Sequence, residues 1–190
     1  MSKIYTFLAD GFEEIEALAP VDILRRANHE VVTVSINGTL WVQSSHGVTV
    51  KADTTIEEAD TTDADMLLLP GGMPGATHLN QHEGVRKALL DHDASGKLIG
   101  AICAAPMVLG TLGLLKGRRA TCAPGFETYL EGATYTGELV TTDGRFTTGS
   151  GAAASLTYAY TLLAQLSDAT TVSTLQKKME YLHLRDTLRG

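Results

Sequence analysis

Two cysteines, Cys103 and Cys122, are the only ones in 190 residues. A pair so sparse excludes a disulfide framework and makes a reducing cytoplasm the expected setting. The six histidines are scattered, and no Cys/His cluster has metal-ligand spacing. No stretch approaches the roughly 20 apolar residues that a bilayer span requires. The opening segment, Met1-Ser2-Lys3-Ile4-Tyr5-Thr6-Phe7-Leu8-Ala9-Asp10, turns acidic too soon to read as a secretory signal. Basic residues are short as well: 15 Lys and Arg stand against 22 Asp and Glu, a formal charge of −7. With no basic block, neither general nucleic-acid binding nor an anionic membrane surface is expected.

What the chain does have is alternation. Ile4 to Ala9 reads as an apolar strand and Phe12 to Ala27 as a helix, followed by a strand over Glu30 to Ile36. Trp41 to Val50 reads as a short hairpin around Ser45-His46-Gly47. Ala64 to Leu69 and Lys97 to Ile102 are strands, with helices over Val85 to His92 and Ala104 to Leu112. A short strand follows at Arg119 to Cys122. Glu138 to Thr142 pairs with Arg145 to Thr148 across Asp143-Gly144, a strong hairpin signal. Two helices, about Ala152 to Leu166 and Thr170 to Leu184, close the chain. Continuously apolar strands, each followed by a helix, predict a parallel sheet covered on both faces. The expectation is one domain over residues 1–190, an α/β three-layer sandwich with a mostly parallel sheet.

In such folds, sites form where strands end, near the reversal of strand order. Three strand ends carry unusual residues. Cys103, in Ala101-Ile102-Cys103-Ala104-Ala105-Pro106, sits where a strand turns sharply into a helix, the geometry of a nucleophile elbow. The helix N-terminus there favours a thiolate. The competing reading is a small buried hydrophobe, which is what most free cysteines are. Glu13, Glu14 and Glu16 open the first helix, where acids complement the dipole. Glu16 fits that role least, because it lies one turn in, beside Ala17-Leu18-Ala19. Pro20 also lacks the N–H that would bond the Glu16 carbonyl, which loosens the helix. A carboxyl in an apolar setting is pushed toward its neutral form and suits general acid–base work. Pro70-Gly71-Gly72-Met73-Pro74-Gly75 reads either as a tight turn or as backbone N–H groups aimed at an oxygen. No Gly-Lys-Ser/Thr follows it, so it is not a phosphate loop. The N–H groups of Gly72 and Ala104 together suit an oxyanion hole. Cys122 reads as structural. His46, His78, His82, His92 and His183 read as surface residues, and none is next to Cys103 in sequence.

Taken together, these loops resemble the ThiJ/PfpI superfamily and its deglycase-like branch. The matching residues are Asp10-Gly11-Phe12-Glu13-Glu14-Ile15-Glu16, Pro20-Val21-Asp22 with Arg25-Arg26-Ala27, Leu69-Pro70-Gly71-Gly72, and the segment around Cys103. The likeness spans essentially the whole chain, including Gly149-Ser150-Gly151. It implies a flavodoxin-like sandwich, a homodimer, and neither metal nor organic cofactor. By position it makes Cys103 the nucleophile, Glu16 its carboxyl partner, and Gly72 and Ala104 the backbone donors. It sets Gly71 and His46 beside the substrate. Two departures stand out: Ala104 and Ala123 occupy places where relatives carry histidine.

Three functions are in view. The first is cofactor-independent chemistry on small reactive carbonyls, of glyoxalase or deglycase type, with Cys103 as nucleophile and Glu16 moving a proton. The second is a redox sensor or chaperone-like stress protein built on an oxidisable Cys103. The third, an amidotransferase- or peptidase-like hydrolase, needs a late histidine. Only His183 is available, in a Lys/Arg-rich terminal helix.

Overall fold

The structure, a computed structural model, describes residues 1–188. Strand β1 (Lys3–Leu8) leads into helix α1 (Glu14–Arg26), and β2 (Glu30–Ser35) follows. A hairpin of β3 (Trp41–Gln43) and β4 (Thr49–Lys51) precedes a two-residue strand, β5 (Thr54–Thr55). Then come β6 (Met66–Leu69), α2 (Gly75–Gln81), α3 (Glu83–Ala94), β7 (Leu98–Ile102) and α4 (Pro106–Thr111). Four short strands follow: β8 (Arg119–Ala120), β9 (Thr134–Tyr135), β10 (Val140–Asp143) and β11 (Phe146–Gly149). Helices α5 (Ser155–Leu166), α6 (Ala169–Lys178) and α7 (Tyr181–Thr187) end the described chain.

Among the described residues, seven strands form one sheet in the order β10-β11-β7-β6-β1-β2-β5. Every neighbouring pair is parallel except β10 with β11. The expected mostly parallel α/β sandwich is therefore present. From β1 the chain steps outward to β2 and β5, then returns to place β6 on the other flank of β1. Strand order reverses between β1 and β6, so the loops leaving these strands and β7 open onto one crevice.

The centre of the sheet shows why its strands are apolar without alternation. All four residues of β6 are buried. Leu67 and Leu69 pack with Leu79, Val85 and Leu89 under α2 and α3, whereas Met66 and Leu68 pack with Ile23, Leu24, Tyr158 and Leu162 under α1 and α5. Period-2 geometry sends alternate side chains to two different cores, and each core requires an apolar residue.

Several sequence expectations shift at the edges. Helix α1 runs unbroken through Pro20, with Glu13 as its N-cap rather than as a helical residue. A helix not read from the sequence, α2, follows the glycine-rich turn directly. Helix α4 is only six residues long, because Cys103 to Ala105 form the turn that precedes it. The strand expected over Arg119 to Cys122 shortens to Arg119–Ala120 and pairs with β9 outside the main sheet. The last expected helix divides at Glu180, which has a left-handed backbone (φ 56°). Among the described residues no helix is long and apolar enough to cross a membrane.

Because Leu67 is fully buried on the central strand, Leu67→Ala is expected to cost about 2–5 kcal/mol by lost transfer energy and the cavity it leaves. Urea unfolding measures it.

Candidate active site

Cys103 follows the last residue of β7 and has φ 64°, a left-handed conformation that a side chain adopts only at a cost. Backbone partners hold it there. Its N–H donates to the Gly149 carbonyl at 2.8 Å, extending the β7–β11 pairing, and its carbonyl accepts from the Ala123 N–H at 2.8 Å. Turned this way, the thiol is partly exposed at the crevice. Sequence reasoning did not single out these clamps. The Gly149-Ser150-Gly151 segment was visible, but its pairing with Cys103 depends on strand register, which a sequence does not print.

Glu16 reaches the same point from α1 and is 2% exposed. Its position is set by Glu13, whose Oε2 accepts from the Glu16 N–H at 2.7 Å as the helix N-cap. Oε2 of Glu16 accepts from the Gly71 N–H at 3.0 Å, while its buried Oε1 has no hydrogen-bond partner among the described residues. The Cys103 thiol is close enough to act on the ionisation of this carboxyl.

Gly71 lies between the two groups. A Cβ there would stand 2.6 Å from Glu16 Oε2 and 2.7 Å from Cys103 Cβ, in the gap where acid and thiol meet. Gly72 has φ 85°, and a Cβ on it would press to 2.4 Å from the Glu13 backbone nitrogen. The two loops therefore touch backbone to backbone, tied by the Glu13 N–H donating to the Gly71 carbonyl at 3.0 Å. The N–H groups of Gly72 and Ala104 face the sulfur.

Burial pushes the Glu16 carboxyl up to about 7. Burial, with the Glu16 charge beside it, pushes the Cys103 thiol up to about 12, against the opposing pull of the Gly72 and Ala104 N–H groups. The expected thiolate-favouring helix end is thus outweighed while Glu16 is ionised. The two groups form a pair that holds one proton over the range between these values.

Cys103, Glu16, Gly71, Gly72 and Ala104 therefore converge. His46 sits exposed on the β3–β4 turn with Nδ1 3.0 Å from Glu14 Oε2, a contact that raises its own pKa and lowers that of Glu14. Cys122 lies in the opposite core from the one against which Cys103 packs, and burial raises its thiol to about 11. His92, expected at the surface, is instead buried, with Nε2 3.0 Å from the Leu98 carbonyl. His183 pairs with Glu180 at 3.3 Å on the exposed α7. Ala123, at one of the places where a histidine was sought, bonds the Cys103 carbonyl directly.

A parallel sheet with a cysteine at its elbow, a buried carboxyl beside it and two backbone donors defines a flavodoxin-like sandwich of the thiol-bearing type. The chain belongs to the DJ-1/PfpI family, whose sequence model matches residues 2–165. Protein DJ-1 homolog B of Arabidopsis thaliana is 35% identical over 166 residues, 86% of this chain and 38% of that protein. The chain spans about two fifths of the length of this relative and of the homolog A protein from the same plant. A protein of Pyrococcus abyssi named a deglycase is 33% identical over 127 residues, 66% of this chain and 74% of its own. A mutant DJ-1 superfamily protein from Salmonella typhimurium superposes with a TM-score of 0.90 at 36% identity, covering 94% of this chain and 98% of its own.

The raised Glu16 value fixes the sign of one pH effect. From about 4.5, its ordinary value, to about 7 the folded state holds a proton that the unfolded chain has lost, so stability falls as pH rises. Glu16→Gln keeps the acceptor for Gly71 and removes this penalty. Its stability relative to the wild type is expected to improve by about 2–3 kcal/mol between pH 5 and pH 8 in urea unfolding.

Proposed function

We propose that this protein is a cofactor-independent enzyme acting on small reactive carbonyls, of glyoxalase or deglycase type. The observation that carries this reading is the Cys103–Glu16 pair, held across Gly71 with a single proton to share. The deglycase name of the Pyrococcus abyssi relative supports it.

In this reading the Glu16 carboxylate takes the Cys103 proton as the sulfur attacks, and the developing charge is met by the N–H groups of Gly72 and Ala104. Sulfur adds to the aldehyde carbon of a 2-oxoaldehyde, and the new oxyanion is held by the same donors. Glu16 gives its proton to that oxyanion and, again a carboxylate, moves the proton from that carbon to its neighbour, converting the adduct to a hydroxyacyl thioester. Water then releases the hydroxy acid and restores the thiol. For methylglyoxal the product is lactate, and atoms balance with one water consumed. No histidine is required, which suits alanine at 104 and 123. The same proposal includes a cytoplasmic setting and a homodimer. Ile15 and Leu18, one turn apart on α1, are exposed apolar residues available to a second copy.

Incubation with methylglyoxal should yield lactate. Cys103→Ser is expected to abolish turnover above background, and Glu16→Gln to cut it about 10²–10⁴-fold. An active Cys103→Ser variant overturns the reading. Mild peroxide that adds two oxygens at Cys103, in a protein without turnover, favours the sensor instead.

Thiol titration gives an independent check. With burial and the Glu16 charge holding the proton on sulfur, alkylation of Cys103 by iodoacetamide should rise with pH through a midpoint above the roughly 8.5 of a free cysteine, and Glu16→Gln should lower that midpoint. A midpoint that Glu16→Gln leaves unmoved overturns the shared proton.

A further inference from the structure

Among the described residues, one set of side chains able to hold a cation joins the start of α1 to the β3–β4 turn. Donor atoms of Glu13, Glu14 and His46 all lie within 4.8 Å of one another. The histidine comes from a separate segment, and backbone bonds fix that segment against the helix start. The Gly11 N–H donates to the Gln43 carbonyl and the Ser45 N–H to the Phe12 carbonyl, each at 2.8 Å. Ser44 Oγ accepts from the His46 and Val48 N–H groups at 3.3 and 3.0 Å, which shapes the turn. His46 is well exposed at 66%, so water and ions reach it, while Glu14 is partly buried at 19%.

The donor set offers one imidazole nitrogen and two carboxylates. Magnesium and calcium take six or more oxygens, whereas zinc(II) and copper(II) accept mixed nitrogen and oxygen ligands. With metal–donor distances of about 2.0–2.2 Å, tetrahedral ligands stand roughly 3.4 Å apart. Closing the observed spread to that distance takes a shift of about 1 Å, well within the reach of the exposed His46 side chain. Glu13 already uses Oε2 to cap Glu16, which leaves Oε1 to turn toward the ion. The positive end of α1 opposes a cation, and two carboxylates offset it.

We propose that Glu13, Glu14 and His46 form a binding site for a divalent transition-metal ion, zinc(II) or copper(II), with a further position open to water. The donor set does not include Cys103, and it stands whether or not the carbonyl chemistry does.

The test uses Cys103→Ser protein, so that the thiol contributes no ligand, with zinc(II) in calorimetry and copper(II) in electron paramagnetic resonance. One zinc per chain is expected, with affinity falling about 10–100-fold in His46→Ala and in Glu14→Gln on the same background. The copper spectrum should show nitrogen coupling that His46→Ala removes. Unchanged circular dichroism shows that the variants are folded, and two substitutions on different elements guard against either one failing. Zinc affinity unaltered by both substitutions overturns the site, as does the absence of zinc binding once the thiol is gone.

Discussion

The structure depends on a backbone-to-backbone approach. The loops after β1 and β6 meet with no side chain between them, and the carboxyl of Glu16 reaches the sulfur of Cys103 through that gap. Glycine at 71 is what opens it, since a methyl there would stand within 2.7 Å of both groups. Glycine at 72 matters for a second reason, because its left-handed backbone turns the N–H toward the sulfur. The hydrogen bonds from Glu13 to Gly71 and from Gly71 to Glu16 then fix the spacing. Helix, turn and elbow are thus one mechanical unit, although they are distant in sequence.

The elbow adds a cost of its own. A left-handed non-glycine residue is strained by roughly 1–3 kcal/mol and persists only where its surroundings over-determine it. Here both backbone groups of Cys103 are engaged, one by β11 and one by the segment after β8. That explains why a short, irregular stretch around Cys122-Ala123 is kept against the sheet. Its role is to hold the carbonyl of Cys103 in place, while the Cys122 thiol turns into the apolar core.

Much of this was legible in the sequence, for physical reasons that differ by residue. The sheet was legible because β1, β6 and β7 are buried on both faces and so lack polar alternation. Cys103 and Glu16 stood out because each breaks a local expectation: a thiol at a sharp strand-to-helix turn, and an acid among alanines and leucine one turn into a helix. Glu13 read as a dipole partner and proved to be the N-cap that places Glu16, which no pattern distinguishes without coordinates. The clamps at Gly149 and Ala123 were illegible because they join Cys103 to segments 20 or more residues away, the first through the register of β7 with β11. His92 misled because a histidine near a helix end reads as exposed, yet its ring nitrogen satisfies the Leu98 carbonyl inside the fold. Helix α2 was missed because Gly75 opens it immediately after a glycine-rich turn.

The alanines at 104 and 123 change how the proton must be handled. A thiol paired with histidine can pass its proton to a base that becomes a cation, and the resulting ion pair is strong. A thiol paired with a carboxylate gains no such ion pair: the transfer leaves a neutral acid beside the thiolate, and when both groups lose their protons the two anions repel. Burial raises Glu16 to about 7, so that its carboxylate is a stronger base toward the thiol proton, and one shared proton leaves only one negative charge in the crevice. The unpartnered Oε1 fits this arrangement, since a carboxylate oxygen can accept a proton and the thiol lies beside it. The same burial that tunes the acid makes the ionised site costly to keep folded. Stability falls toward neutral pH because the buried carboxyl ionises there.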